Sequence, residues 1–143
     1  SMLRSLWAAH RAGRSQDKVI TLMHGVRYLD DLGYRTELQT MAREESFGLV
    51  YLPTVSRPEG PPGADPGVAA GRVNDVFRAL LKEPPDGSVA PVLPRSLSAE
   101  SLLERMPAAD SVLLLCGNPA MGTDVKTFAP GHCYADVRTE DYW

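Results

Sequence analysis

The chain has 143 residues, enough for one domain with its own hydrophobic core. Its 43% hydrophobic and 23% charged composition is ordinary for a globular protein, and a net charge of -3 leaves no broad electrostatic footprint for nucleic acid, so any recognition of phosphate has to be local. No apolar run approaches the roughly 20 residues that cross a bilayer, and the amino terminus lacks the pattern of a signal peptide, which makes a cytoplasmic protein with no membrane partner the simplest expectation.

In chain order, Leu3, Leu6, Trp7 and His10 recur at helical spacing, so Met2 to His10 reads as a helix that stops near Gly13. Lys18 to His24 is a nearly continuous apolar run and reads as a buried strand, with His24-Gly25-Val26-Arg27 as the loop at its carboxyl end. Asp30 and Asp31 suit the first turn of a helix, and Leu32, Leu38 and Met41 extend an apolar stripe, predicting a helix from Asp30 to Glu44. Leu49 to Val55 is a second strand. The proline- and glycine-rich stretch from Pro58 to Gly67 is a surface loop bracketed by Arg57 and Arg72.

Val73, Val76, Phe77, Leu80 and Leu81 place a helix over Val73 to Lys82, after which five residues, Pro84, Pro85, Gly87, Pro91 and Pro94, interrupt regular structure. A further helix is expected over Ala99 to Met106. Ser111 to Cys116 contains Val112-Leu113-Leu114-Leu115, read as a third buried strand, followed at Gly117-Asn118-Pro119 by a helix start. Cys133 to Val137 alternates weakly and is expected as a last strand.

Strands alternating with helices give an α/β fold, a three-layer Rossmann-like parallel sheet whose ligands bind beyond the carboxyl ends of its strands. Arg27, Arg57 and Cys116 fall at such ends, and Arg72 lies on a loop expected to open on the same edge. Guanidinium forks bind phosphate bidentately, so three arginines opening on one edge would suit a nucleotide with a 2′-phosphate; a single loop arginine is more often a solvated charge, and the reading depends on their joint placement. There is no Walker loop, no G-x-S-x-G elbow and no complete G-x-G-x-x-G fingerprint. Cys116 and Cys133 are read as free thiols, and His10, His24 and His132 have no spacing that suits a shared metal.

Four segments carry a resemblance to bacterial ferredoxin or flavodoxin–NADP⁺ reductases. They are Leu22-Met23-His24-Gly25-Val26-Arg27-Tyr28; Thr54-Val55-Ser56-Arg57 with Gly71-Arg72-Val73; Leu115-Cys116-Gly117-Asn118-Pro119-Ala120-Met121; and Pro130-Gly131-His132 with Glu140-Asp141-Tyr142-Trp143. The resemblance spans nearly the whole chain. It begins only after the family's first strand and glycine-rich turn, and the family's FAD-binding barrel domain is absent from it. It also thins between Lys126 and Pro130, where the family continues a helix, so the helix after Pro119 is expected to be deleted or displaced.

The resemblance implies hydride transfer between NADPH and FAD, with ferredoxin or flavodoxin as the electron-carrier partner. It implies that Val26, Arg27, Ser56, Arg57, Arg72, Gly117, Asn118 and Asp124 contact NADP(H), with Arg57 and Arg72 on the 2′-phosphate and Arg27 able to stack on adenine. Cys116 would lie beside the nicotinamide and Glu140 near the reacting rings. Tyr142 would stack on the flavin and Trp143 would cover the adenine part of FAD. The FAD would need the absent domain to hold it, so the 143 residues alone are expected to be inactive. Two other readings stay open: the reductase component of an oxygenase system, and a non-catalytic nucleotide-binding or interaction module using the sheet position that a missing strand exposes.

Overall fold

A computed structural model of the chain describes residues 2–14, 18–61, 63–87 and 89–140. The elements run α1 (Met2–Arg11), β1 (Ile20–Val26), α2 (Arg35–Arg43), β2 (Leu49–Val55), β3 (Ala69–Ala70), α3 (Val73–Leu80), α4 (Ala99–Arg105), β4 (Val112–Cys116), α5 (Pro119–Phe128) and β5 (Asp136–Glu140). All strand pairs within the sheets are parallel: β1 lies on β2, β2 on β3, and β4 on β5. This is the mixed, parallel α/β architecture expected from alternating strand and helix signals.

Side-chain alternation divides the first sheet between two helix layers. Ile20 and Leu22 of β1 and Leu49 of β2 face Leu3, Leu6 and Trp7 of α1 and Leu38 and Met41 of α2. Met23, Val50 and Leu52 face the other way, into the main core with Val76, Phe77 and Leu80 of α3 and Leu102 of α4. Leu113 and Leu115 of β4 and Val137 of β5 join that same core, so both sheets rest on one helix layer.

The second sheet departs from its sequence reading. Val112 and Leu114 are 48% and 52% exposed, so β4 is not buried on both faces. An unbroken apolar run signals burial on two sides, but α1 and α2 pack on the first sheet, and no described helix reaches the outer face of β4. The two sheets are separate, and β1 and β4 each have one unpaired edge among the described residues.

Other elements shift in ways that local chemistry explains. The helix expected from Asp30 begins only at Arg35: Leu29–Asp31 forms a short 3₁₀ turn, with the Asp31 carboxylate accepting the Tyr28 N–H at 3.2 Å, and Tyr34 then takes a left-handed conformation with φ 61°. The last strand begins at Asp136, three residues later than expected, because Cys133 closes the 3₁₀ turn Ala129–His132 in a left-handed conformation. The helix after Pro119 is neither deleted nor displaced from its motif. It is α5, with Val125 and Phe128 buried against α3, and it runs directly into that 3₁₀ turn.

Candidate functional site

The carboxyl ends of β1, β2 and β3 converge because the parallel register continues past the strands. The Ser56 N–H donates to the Val26 carbonyl at 3.0 Å, and the Arg57 N–H to the Arg27 carbonyl at 2.9 Å. On the other side of β2, the Gly71 N–H donates to the Val55 carbonyl at 2.9 Å. Three consecutive strand ends therefore deliver Arg27, Arg57 and Arg72 to one edge.

Two glycines make this convergence possible. At Gly25 a Cβ would fall 2.4 Å from Val73 Cγ2, so only glycine lets the start of α3 approach β1 this closely. Gly71 has φ +125°, and a Cβ there would also meet Pro91 at 3.2 Å. The chain turns at Gly71 so that Arg72 becomes the residue capping α3, in extended conformation, with Val73, Asn74 and Asp75 forming the helix's first turn. The N–H groups of a first turn have no partner inside their own helix, and together with the helix dipole they favour an anion.

The result is a cleft of about 240 Å³ lined by Arg27, Ser56, Arg57, Arg72, Asp75, Gly87 and Val89. Arg27, Arg57 and Arg72 are exposed, and among the described residues none of them forms a salt bridge. Arg27 lies over the Tyr28 ring at 5.9 Å. The remaining carboxylate in the cleft, Asp75, is 1% exposed and accepts backbone N–H groups. Three guanidiniums without carboxylate partners, beside a helix start, fit a phosphate group chemically.

A second, shallower cleft of about 110 Å³ opens at the carboxyl end of β4 and includes Cys116, Gly117, Asn118, Lys126, Thr139 and Glu140 in its lining. The register pairs Cys116 with Glu140, so two residues far apart in sequence become lateral neighbours on the same exposed face of the sheet. Asn118 caps α5: its side-chain oxygen accepts the Ala120 N–H at 2.8 Å, and Pro119 occupies the first turn, where a missing N–H costs nothing. Lys126 Nζ donates to Thr139 Oγ1 at 2.9 Å across the floor. Tyr142 and Trp143 lie outside the described residues.

Asp124, expected to touch the nucleotide, lines neither cleft, and its oxygens are already engaged. The Arg78 guanidinium donates to both of them, through Nε at 2.9 Å and through Nη2, and Asn74 Nδ2 donates to Oδ2 at 2.7 Å. These hydrogen bonds, Arg78's foremost, hold the Asp124 carboxyl below the usual carboxylate range against the opposing effect of burial. The clasp ties α3, which begins at the arginine cleft, to α5, which begins at the Cys116 cleft. In β1, burial holds the His24 imidazole below its ordinary pKa, with Nδ1 3.1 Å from the Tyr51 hydroxyl.

The candidate residues thus form two groups, Val26, Arg27, Ser56, Arg57 and Arg72 at one strand-end cluster and Cys116, Gly117, Asn118 and Glu140 at the other. Sequence reasoning missed Asp75, Asn74, Arg78 and Lys126. The only signal for Asp75 was an acid in the first turn after Arg72, which reads equally well as a dipole partner. Among the described residues no group of three or more metal-ligating side chains occurs, and no helix is long and apolar enough to cross a membrane.

No curated protein matches the chain. The family model for the oxidoreductase NAD-binding domain matches residues 1–127, a span that takes in the arginine cleft, Cys116 and the greater part of α5. With parallel strands ending in a phosphate-compatible cleft, and a match over most of its length, this chain belongs to the oxidoreductase NAD-binding domain family.

Proposed function

We propose that the chain is the NADP(H)-binding portion of a flavin-dependent ferredoxin or flavodoxin–NADP⁺ reductase. The observation that carries this reading is the convergence of Arg27, Arg57 and Arg72 on one cleft without acidic partners among the described residues. With the 2′ position placed in the cleft, a nucleotide lacking the 2′-phosphate presents a neutral hydroxyl there, and three solvated cations would gain little from it. A 2′-phosphate offers acceptor oxygens to forked donors.

The nicotinamide and flavin rings supply the hydride chemistry when bound, and the residues of this chain bind and orient them. Arg57 and Arg72 grip the 2′-phosphate, Ser56 adds a hydroxyl donor, and Arg27 stacks its guanidinium on the adenine. The Val26 backbone shapes the approach. At the other cleft Cys116 offers a small polarizable side chain beside the nicotinamide, with Gly117 and Asn118 setting the backbone there. Glu140, beside Cys116 in the sheet, favours the positively charged oxidised ring. Asp124 contributes through its clasp with Arg78, which fixes the two clefts relative to each other. Tyr142 and Trp143 are assigned to the flavin side, with FAD held by a domain outside this chain and electrons passed to a ferredoxin or flavodoxin.

A second reading has its own observation. The edges of β1 and β4, unpaired among the described residues, suit an interaction module that receives a strand. A strand added there is compatible with either reading, so the two part only at the nucleotide. Isothermal titration with NADP⁺ and NAD⁺ decides: the reductase reading expects NADP⁺ to bind at least about tenfold tighter, the value of one charge-assisted hydrogen bond. Equal affinities, or no binding of either, would remove it.

A further inference from the structure

We propose that Asp75 is a positioning residue for the arginine cleft: by tying the loop at Gly87 to the start of α3, it holds Arg72 in the pose that distinguishes a 2′-phosphate from a ribose hydroxyl. This rests on the NADP(H) reading and names the device behind its selectivity.

Asp75 is the third residue of α3 and is 1% exposed, yet its carboxylate does not cap its own helix. Oδ1 instead accepts the N–H of Asp86 at 2.6 Å and that of Gly87 at 3.2 Å, eleven and twelve residues further on. A buried carboxylate spent on two backbone donors of a surface loop fixes the loop, because neither side can release the other without leaving polar groups unsatisfied.

The loop then bears on the arginine. A Cβ at Gly87 would stand 2.5 Å from Asp75 Oδ2 and 3.8 Å from Arg72 Cδ, so the tethered loop passes beside both the carboxylate and the arginine stem. Arg72 has no salt bridge among the described residues, and an arginine free to explore its rotamers loses more on binding than one whose stem is already packed. The cleft keeps a positive surplus even with Asp75 in its lining. Three guanidiniums against one carboxylate leave a surplus that matches a phosphate monoester dianion, whereas a ribose hydroxyl brings no charge to meet it.

The test uses the full chain with two variants that break the tether from opposite sides. Asp75→Ala removes the acceptor; Gly87→Ala retains Asp75 and all three arginines but sets a methyl group 2.5 Å from Asp75 Oδ2, so carboxylate and loop must separate, and at a surface loop it spares the core. NADP⁺ and NAD⁺ are titrated into wild type and both variants by calorimetry, and amide exchange is followed at Asp86 and Gly87. We expect NADP⁺ to weaken about tenfold in each variant with NAD⁺ changed by less than about twofold, the loss of roughly one charge-assisted contact, alongside faster exchange at both amides. Faster exchange with NADP⁺ affinity intact, or equal losses for both nucleotides, would overturn the role of Asp75 while leaving the NADP(H) reading standing. A wild-type chain with no preference for NADP⁺ would overturn both.

Discussion

Replacing Arg57 and Arg72 together by alanine tests the arginine cleft most directly. Both side chains are exposed and neither has a carboxylate partner among the described residues, so their removal orphans no buried acid and should leave the fold intact. A hydrogen bond to a charged group contributes about 1.5 to 3 kcal/mol, and exposure to solvent argues for the lower end, so two lost contacts amount to about 3 kcal/mol or on the order of a 10²-fold loss in NADP⁺ affinity. NAD⁺ has no 2′-phosphate to lose and should change by less than about threefold on the same scale. Calorimetric titration of both nucleotides at fixed ionic strength reads this directly. Equal losses would show that the arginines hold a group common to both dinucleotides, such as the pyrophosphate, and the assignment of the 2′-phosphate would fall.

Three further outcomes follow from the geometry. Arg78→Ala leaves Asp124, 13% exposed, without its principal donor, and should cost about 2 kcal/mol in urea unfolding, short of a fully buried pair because some solvent reaches both groups; the folded-state pKa of Asp124 is depressed, so the clasp's contribution is complete above the carboxyl's unfolded pKa and fades as pH falls through the folded value, and a wild-type minus variant difference that does not shrink in acid would contradict it. His24 has a folded pKa below its unfolded one, so protonation favours the unfolded chain, and stability should decline as pH drops through the unfolded value of about 6.5; His24→Gln should flatten that decline, and an unchanged slope would show that burial of His24 is not its source. Cys116 and Cys133 are both exposed thiols, so saturating NADP⁺ should slow alkylation of Cys116 and leave Cys133 unaffected, whereas equal protection, or none, would argue against nicotinamide beside Cys116.

Periodicity located the strands and helices because each buries one defined face. Leu49 to Val55 is bounded as its apolar run suggests, and Val73, Val76, Phe77 and Leu80 form a helix because their spacing meets the core on one side. Where the reading slipped, a backbone conformation intervened. Tyr34 and Cys133 adopt left-handed conformations that no hydrophobic pattern announces, and each marks a boundary that moved, the start of α2 and the start of β5. The outer face of β4 slipped for a different reason. Apolar residues at Val112 and Leu114 record that a surface is suited to burial, but the helices that would cover it are an arrangement of the whole fold.

The candidate site was legible to the extent that it lies at strand ends. In a parallel sheet every strand delivers its carboxyl terminus to the same edge, so residues just after three adjacent strands must gather, and Arg27, Arg57 and Arg72 do. The pairing of Cys116 with Glu140 follows from the same geometry once β4 and β5 are known to be neighbours in register. What joins the clefts was not legible. Asp75 reaches a loop eleven residues away, and Asp124 reaches across from α5 to a helix about fifty residues earlier; the first depends on how that loop folds back on α3, the second on how α3 and α5 pack, and neither leaves a periodic trace. This division has a physical consequence for the proposed reductase. The residues that would touch the nucleotide sit on strand-end loops and can be exchanged with little effect on the core, whereas Asp75 is buried at the start of α3 and Asp124 is clasped between α3 and α5. Selectivity for the 2′-phosphate should therefore be lost by two separable routes: removing an arginine at constant stability, or loosening an acid that lowers stability and selectivity together.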